Sequence, residues 1–212
     1  MKYLTFLLIS GLLVEPAAQA HEASHASASA TAAVPAPRLQ ATLRALWHGH
    51  VENTREYAFA VKAGDARRSE TAANAVVANA KQLANAVGSF YGAAAGERML
   101  ALLAGHWGAV KAMTDGEHAG DRGAVNAAMA TLTQNADEIS VFLAGANPHL
   151  PRDAVRGLLV AHGAHHAAQI GQVMRGDSKA EATTWAAMQK HMDVIADAMA
   201  GALAKQFPGK VS

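Results

Sequence analysis

Large apolar residues recur at spacings of three and four along most of this chain, and this spacing restricts the local structure to amphipathic helix. In the first such segment Leu39, Leu43, Leu46 and Trp47 fall on one side of a helix with 3.6 residues per turn. Gly, Asp-Gly and Asn-Pro steps separate the segments, as is typical of helix ends. The pattern predicts helices over residues 39–64, 69–90, 97–113, 121–143, 151–173 and 179–207.

The connections between these segments are short and polar, so neighbouring helices should pack antiparallel. The predicted fold class is therefore all-α, an up-and-down antiparallel helical bundle of four main helices plus extra or broken pieces. The Asp115-Gly116 step should end the third helix, and Gly92 and Gly96 should bend or interrupt the chain before it. No internal sequence repeat is evident.

The first twenty residues have the composition of a cleaved secretory signal, with a basic Lys2, an almost unbroken apolar run and small residues at positions 18 and 20. The run is shorter than the roughly 20 residues that cross a bilayer, so we expect no stable membrane insertion after cleavage. The next segment, rich in Ala, Ser, Thr, His and Pro, buries too little apolar surface to fold. A periplasmic or secreted protein is predicted, with a signal peptide at 1–20, a flexible leader at 21–37, one helical domain at 38–207 and a tail at 208–212.

Composition and charge exclude several functional classes. The chain has 18 Lys and Arg against 17 Asp and Glu, and its basic residues are scattered, so nucleic acid is not an expected partner. Cysteine is absent, which removes disulfides and thiolate metal ligands. Neither a phosphate-binding glycine loop nor a Gly-x-Ser-x-Gly elbow occurs, so enzymatic activity is not predicted, although metal-dependent oxidation is left open.

Four of the eleven histidines fall on the apolar stripes of three predicted helices: His50, His106, His162 and His166. His162 and His166 are four residues apart, a spacing at which two imidazoles on one helix face can bind the same ion. Burying a polar ring without a partner costs about 1–3 kcal/mol. A shared metal ion would satisfy all four rings, whereas in the alternative interpretation each ring has its own partner in the core.

Three further residues are candidate ligands of a metal ion. Asp137 or Glu138 in the fourth helix could bind the ion or accept the hydrogen bond that fixes the tautomer of a ligating imidazole. A solvated acidic pair is the alternative. Cleavage after Ala20 would leave His21 with a free amine and an imidazole, two nitrogen donors that suit Cu(II).

Copper is the expected metal, and zinc, nickel, iron or haem are the alternatives. Met188, Met192 and Met199 share one face of the last helix, and thioethers suit Cu(I) while imidazole suits Cu(II). A methionine stripe is also typical of adaptable core packing. Since ligating imidazole must be unprotonated, metal affinity is expected to fall below about pH 6.

Several stretches of the chain resemble a group of small bacterial helical proteins that are largely uncharacterised. These stretches are LWHGHV at 46–51 followed by Thr54-Arg55, FYGAAAG at 90–96, NADEI at 135–139 followed by Phe142-Leu143, ANP at 146–148 and KQFP at 205–208. The resemblance implies a helical bundle and no defined activity. It also implies that histidines matching His50, His106 and His162 and an acid matching Asp137 recur in the group, whereas His166 does not.

The predicted function is copper handling, by sequestration or delivery, in a periplasmic or secreted helical bundle. One alternative is a bundle that binds haem, held axially by one or two of the same histidines, or another cofactor. The other is an envelope stress or interaction protein that binds no metal. The expected partners are the metal ion and either a second copy of the chain or a metal-handling protein.

Overall fold

The structure is a computed structural model that describes residues 36–211. The predicted signal peptide and all but the last two residues of the predicted leader lie outside the described residues. Within the described part the fold is an all-α helical bundle, as predicted. Its helices are α1 (Pro37–Lys62), α2 (Ala66–Tyr91), α3 (Ala93–Ala119), α4 (Arg122–Ala146), α5 (Arg152–Arg175) and α6 (Ser178–Gln206), followed by a 3-10 turn at Pro208–Lys210.

The six helices are similar in length, from 24 to 29 residues, so a division into four main helices and shorter pieces is not seen. No α-helix within residues 36–211 is both long and apolar enough to cross a membrane. The predicted tail also contributes to the fold, because Val211 is buried and Lys210 Nζ donates hydrogen bonds to the carbonyls of Ser89 and Phe90.

Helix α3 is longer at both ends than the sequence predicted, because the glycines expected to break it instead allow close helix packing. A Cβ on Gly96 would lie 3.1 Å from the Ala84 carbonyl oxygen, and one on Gly116 would lie 3.2 Å from side-chain atoms of Ala124 and Val125. The helix ends at Gly120, which adopts a left-handed conformation with φ of 71°.

Each helix packs against the next along the chain, and α6 packs against α1, so the six helices close into a ring. The odd-numbered helices α1, α3 and α5 also contact one another. They therefore surround the centre of the bundle, and the even-numbered helices pack on their outer sides. Side chains that point inward from α1, α3 and α5 meet near a common axis.

The ring consists of three equivalent helical hairpins that repeat every 56 residues, a repeat that was not evident in the sequence. In each hairpin a left-handed glycine is followed by an aspartate that caps the second helix by accepting a hydrogen bond from the backbone N–H three residues later. These turns are Gly64-Asp65, Gly120-Asp121 and Gly176-Asp177.

A second repeated contact joins the two helices of each hairpin. A side chain of the second helix donates a hydrogen bond, 2.8–2.9 Å long, to the carbonyl of a leucine 33 residues earlier. The pairs are Asn79 with Leu46, Asn135 with Leu102, and His191 with Leu158. Both the turns and these cross-links are spaced by 56 residues, so the bundle has approximate threefold internal symmetry.

The repeated caps give a direct test of this equivalence. Replacing Asp65, Asp121 or Asp177 with Ala removes the acceptor for an N-terminal backbone N–H, and each change should lower the free energy of unfolding by about 1 kcal/mol. Urea unfolding measures this value. The control Glu52→Ala, at an exposed position within α1, should change it by less than about 0.5 kcal/mol. Equal effects in the control and the cap variants would contradict the role of the caps.

Candidate metal centre

Three histidines occupy equivalent positions on the inner helices. His50, His106 and His162 lie on α1, α3 and α5 and are spaced by 56 residues. Each follows by four residues the leucine whose carbonyl forms the interhelical hydrogen bond of its hairpin. Their ring centroids are 5.6, 5.7 and 5.4 Å apart, which is nearly an equilateral triangle around the bundle axis.

His166 adds a fourth ring to this triangle from one side. It lies one turn after His162 on α5, and the two Nε2 atoms are 3.0 Å apart. Its centroid lies 5.9 Å from that of His50 and 5.7 Å from that of His106. The other two hairpins carry Thr54 and Val110 at the equivalent positions, so His166 makes the centre asymmetric.

The structure therefore brings together all four histidines that the sequence predicted. We refer to His50, His106, His162 and His166 as the histidine centre. One nitrogen from each ring can be chosen so that all four lie within 4.8 Å of one another. A tetrahedral ion with metal–nitrogen distances of about 2.0–2.1 Å needs its donors about 3.3–3.4 Å apart, so small ring rotations would suffice to bind it.

The histidine centre is buried, and most of its nitrogens lack partners. The four side chains are between 1% and 7% exposed. Among the described residues no hydrogen-bond partner is found for either nitrogen of His50, for Nε2 of His106 or for Nδ1 of His162. An unsatisfied buried polar group costs about 1–3 kcal/mol, so this arrangement opposes folding unless a ligand occupies it.

An apolar wall closes one side of the centre. Trp47, which is 4% exposed, directs the edge of its indole toward His50 and His162 at centroid distances of 5.9 and 6.4 Å. It belongs to an apolar cluster that also contains Met188, Met192 and Met199. The methionine stripe of α6 therefore packs in this cluster.

Burial keeps the four rings neutral. Desolvation, with a smaller contribution from His106, lowers the pKa of His50 to about 3. Desolvation lowers the pKa of His106 to about 4, although its contact with Asn135 opposes the shift. The pKa values of His162 and His166 are also well below 6.5, through burial and then the neighbouring imidazoles. Protons should thus compete with a metal ion only near pH 4, not from about pH 6 as the sequence-based pKa suggested.

The structure places neither predicted carboxylate in the histidine centre. Asp137 is 39% exposed and forms an ion pair with Arg156 of α5. Glu138 is 44% exposed, accepts a hydrogen bond from Gln134, and lies 3.7 Å from Arg98. Both acids lie on the outer flank of α4, where water and arginine stabilise the charged form, so the expectation that one of them completes the site is not met. His21 lies outside the described residues.

Asn135, two residues before Asp137, is the α4 residue that faces inward. Its Nδ2 donates to the Leu102 carbonyl, and its side chain acts on the pKa of His106. Asn79 has the same role beside His50 in the first hairpin, and the Oδ1 atoms of both asparagines are buried without a partner in the described part of the chain. Sequence reasoning missed both residues, although each lies 29 residues after its histidine.

A buried ion pair near the centre was also missed. Glu181 at the start of α6 is 4% exposed and accepts two hydrogen bonds from Arg55 of α1, at 2.7 and 2.8 Å, and one from Gln169 of α5, at 2.9 Å. Arg55 had been expected in a surface cluster with Glu52 and Glu56. This pair fixes α1, α5 and α6 relative to one another, and Gln169 lies only three residues after His166.

Comparison with known proteins leaves this site to be interpreted from its chemistry alone. A scan against protein-family models and searches of curated proteins and solved structures each found no match to the chain.

The stability of the metal-free protein should fall as the pH decreases from about 6.5 toward 4. The unfolded rings titrate near pH 6.5, whereas their pKa values are lowered in the folded state, so the unfolded chain binds more protons over this range. Each ring can contribute a slope of up to about 1.4 kcal/mol per pH unit. Urea unfolding between pH 7.5 and 4.5 measures it.

His50→Gln should reduce this slope by up to one ring's contribution, because it removes one buried group that must remain neutral. The matched control His118→Gln changes an exposed residue of α3 and should keep the wild-type slope. A stability that does not depend on pH between 7 and 5 would contradict the neutral, buried state of the four rings.

Proposed function

We propose that this chain binds one transition-metal ion at the histidine centre and that it handles copper, by sequestration or delivery. The observation that carries the proposal is the convergence of four buried imidazoles whose nitrogens lie within 4.8 Å of one another. Several of these nitrogens lack any partner among residues 36–211, and neutral imidazole is the protonation state that binds metal. A bound ion would satisfy them at a single point.

The donor set favours a borderline metal ion. Imidazole suits copper, zinc, nickel and iron, and hard ions such as Mg²⁺ and Ca²⁺ prefer oxygen ligands. The buried carboxylate of Glu181 is already held by Arg55 and Gln169, so the four rings would bind the ion without a negative charge. Cu(I) adds one positive charge to this interior where a divalent ion adds two, and this smaller desolvation cost favours copper over zinc.

Handling of the ion fits the site better than catalysis does. Four protein donors complete a tetrahedral shell, whereas catalytic sites keep a position open for water or substrate. The close packing of the rings also favours a bare ion over haem, because centroids 4.4–5.9 Å apart leave no slot for a porphyrin between them.

The proposal includes export from the cytoplasm, with a homo-oligomer or a metal-handling protein as the partner. It rests here on the signal-like composition of residues 1–20. Recovery of a chain that begins at His21 from the periplasm or medium would support export, and recovery of an uncleaved cytoplasmic chain would contradict it.

Metal titration of protein purified without a His tag tests the binding proposal. With His21 and His25 replaced by Ala to remove leader ligands, we expect one Cu(I), Cu(II) or Zn(II) per chain and a higher melting temperature on binding. Copper should bind more tightly than zinc. Paramagnetic Cu(II) should also quench the fluorescence of Trp47, whose ring lies 5.9 Å from that of His50.

Variants of the centre and of the surface separate a built site from incidental binding. His106→Gln should weaken binding by about 100-fold or more, because it removes one of four donors. His166→Val introduces the residue that the second hairpin carries and should also weaken binding. His118→Asn, at the exposed end of α3, is the control and should bind as wild type. Absence of binding, or equal binding in His106→Gln and wild type, would favour a scaffold protein without a metal.

A further inference from the structure

The third hairpin carries two histidines that the fold itself does not require. His191 occupies the position of Asn79 and Asn135, and all three side chains form the same hydrogen bond to a leucine carbonyl. His165 occupies the position of Asn53 in the first hairpin and Ala109 in the second. Two copies of the hairpin therefore fold without imidazole at either position.

These two histidines form a row that leads from the protein surface to the histidine centre. His165 and His191 are both partly exposed, and their ring centroids are 5.3 Å apart. The ring of His191 then stacks on that of His162 at 6.5 Å, with an angle of 17° between the planes. His162 is 1% exposed, so the row passes from partial exposure to full burial within two steps.

The hydrogen bonding of His191 leaves its other nitrogen able to bind metal. Its Nε2 lies 2.8 Å from the Leu158 carbonyl oxygen, which can only accept, so Nε2 carries the hydrogen in the neutral ring. Nδ1 then carries the lone pair. The asparagines that take this position in the other two hairpins have no comparable nitrogen donor, since an amide nitrogen has no available lone pair.

We propose that His165 and His191 form the entry and exit route of the metal ion to the histidine centre. The inference rests on the proposed function, because it needs an ion to bind there. A hydrated ion would first exchange water for the imidazoles of His165 and His191. It would then exchange these for His162 and His166, so that it is never left without ligands inside the bundle.

A groove between α3 and α4 is the rival route. It has a volume of about 180 Å³, and its floor includes Asn135, the neighbour of His106. Its polar side chains are those of Arg98, Thr131, Gln134, Asn135 and Glu138. They include a guanidinium, which repels a cation, and no imidazole, so this groove fits a metal ion less well than the row of the third hairpin.

The rate of metal loading tests the route separately from the affinity. The double variant His165→Asn/His191→Asn introduces the residues of the first hairpin, and an asparagine at 191 can keep the bond to the Leu158 carbonyl as Asn79 and Asn135 do to theirs. Stopped-flow quenching of Trp47 by Cu(II) gives the loading rate, and transfer to a chelator gives the release rate.

Both rates should fall by about tenfold or more in the double variant, while the dissociation constant should stay within about threefold of wild type and the ratio at one ion per chain. His118→Asn, which removes an exposed histidine outside the row, should load at the wild-type rate. Thr131→Trp, which fills the rival groove, should also load at the wild-type rate.

Unchanged rates in the double variant would overturn the route, as would slow loading in Thr131→Trp combined with normal loading in the double variant. A large loss of affinity in the double variant would also overturn it, because the two residues would then belong to the binding site itself. If the wild-type protein binds neither copper nor zinc, both the proposed function and the route fail.

Discussion

Burial of three equivalent imidazoles on the axis of a closed helical ring is the interaction on which the rest of the structure depends. His50, His106 and His162 lie at the same register in α1, α3 and α5, so the packing of those helices determines the distances between the rings. Burial then keeps the rings neutral, and their nitrogens are left with few partners in residues 36–211. The geometry that suits a metal ion is thus costly to an empty protein.

The 56-residue repeat explains both the shape of the centre and its departures from symmetry. A glycine turn, an aspartate cap and a bond to a leucine carbonyl define each hairpin, and they place each histidine at the same depth. Because the first two hairpins show what the fold needs, the changes in the third become informative. His165, His166 and His191 all occur there, next to one another, where the other hairpins carry no histidine.

Helical periodicity was sufficient to predict the fold class, most helix boundaries and the inward direction of four histidines. Periodicity could not show which glycines end a helix, because Gly96 and Gly116 serve close packing while Gly120 adopts a positive φ. It also placed Asp137 near the core, whereas Arg156, a partner from another helix, draws it outward. The repeat escaped notice because few positions keep their identity and one cross-linking asparagine is replaced by His191.

X-ray absorption at the metal edge of the copper- or zinc-loaded protein tests the central claim most directly. The account predicts four nitrogen donors at about 2.0–2.1 Å, with the outer-shell scattering characteristic of imidazole, and one donor fewer in His166→Val. A first shell dominated by oxygen, or one with fewer than three imidazoles, would contradict the convergence of the four rings on a single ion.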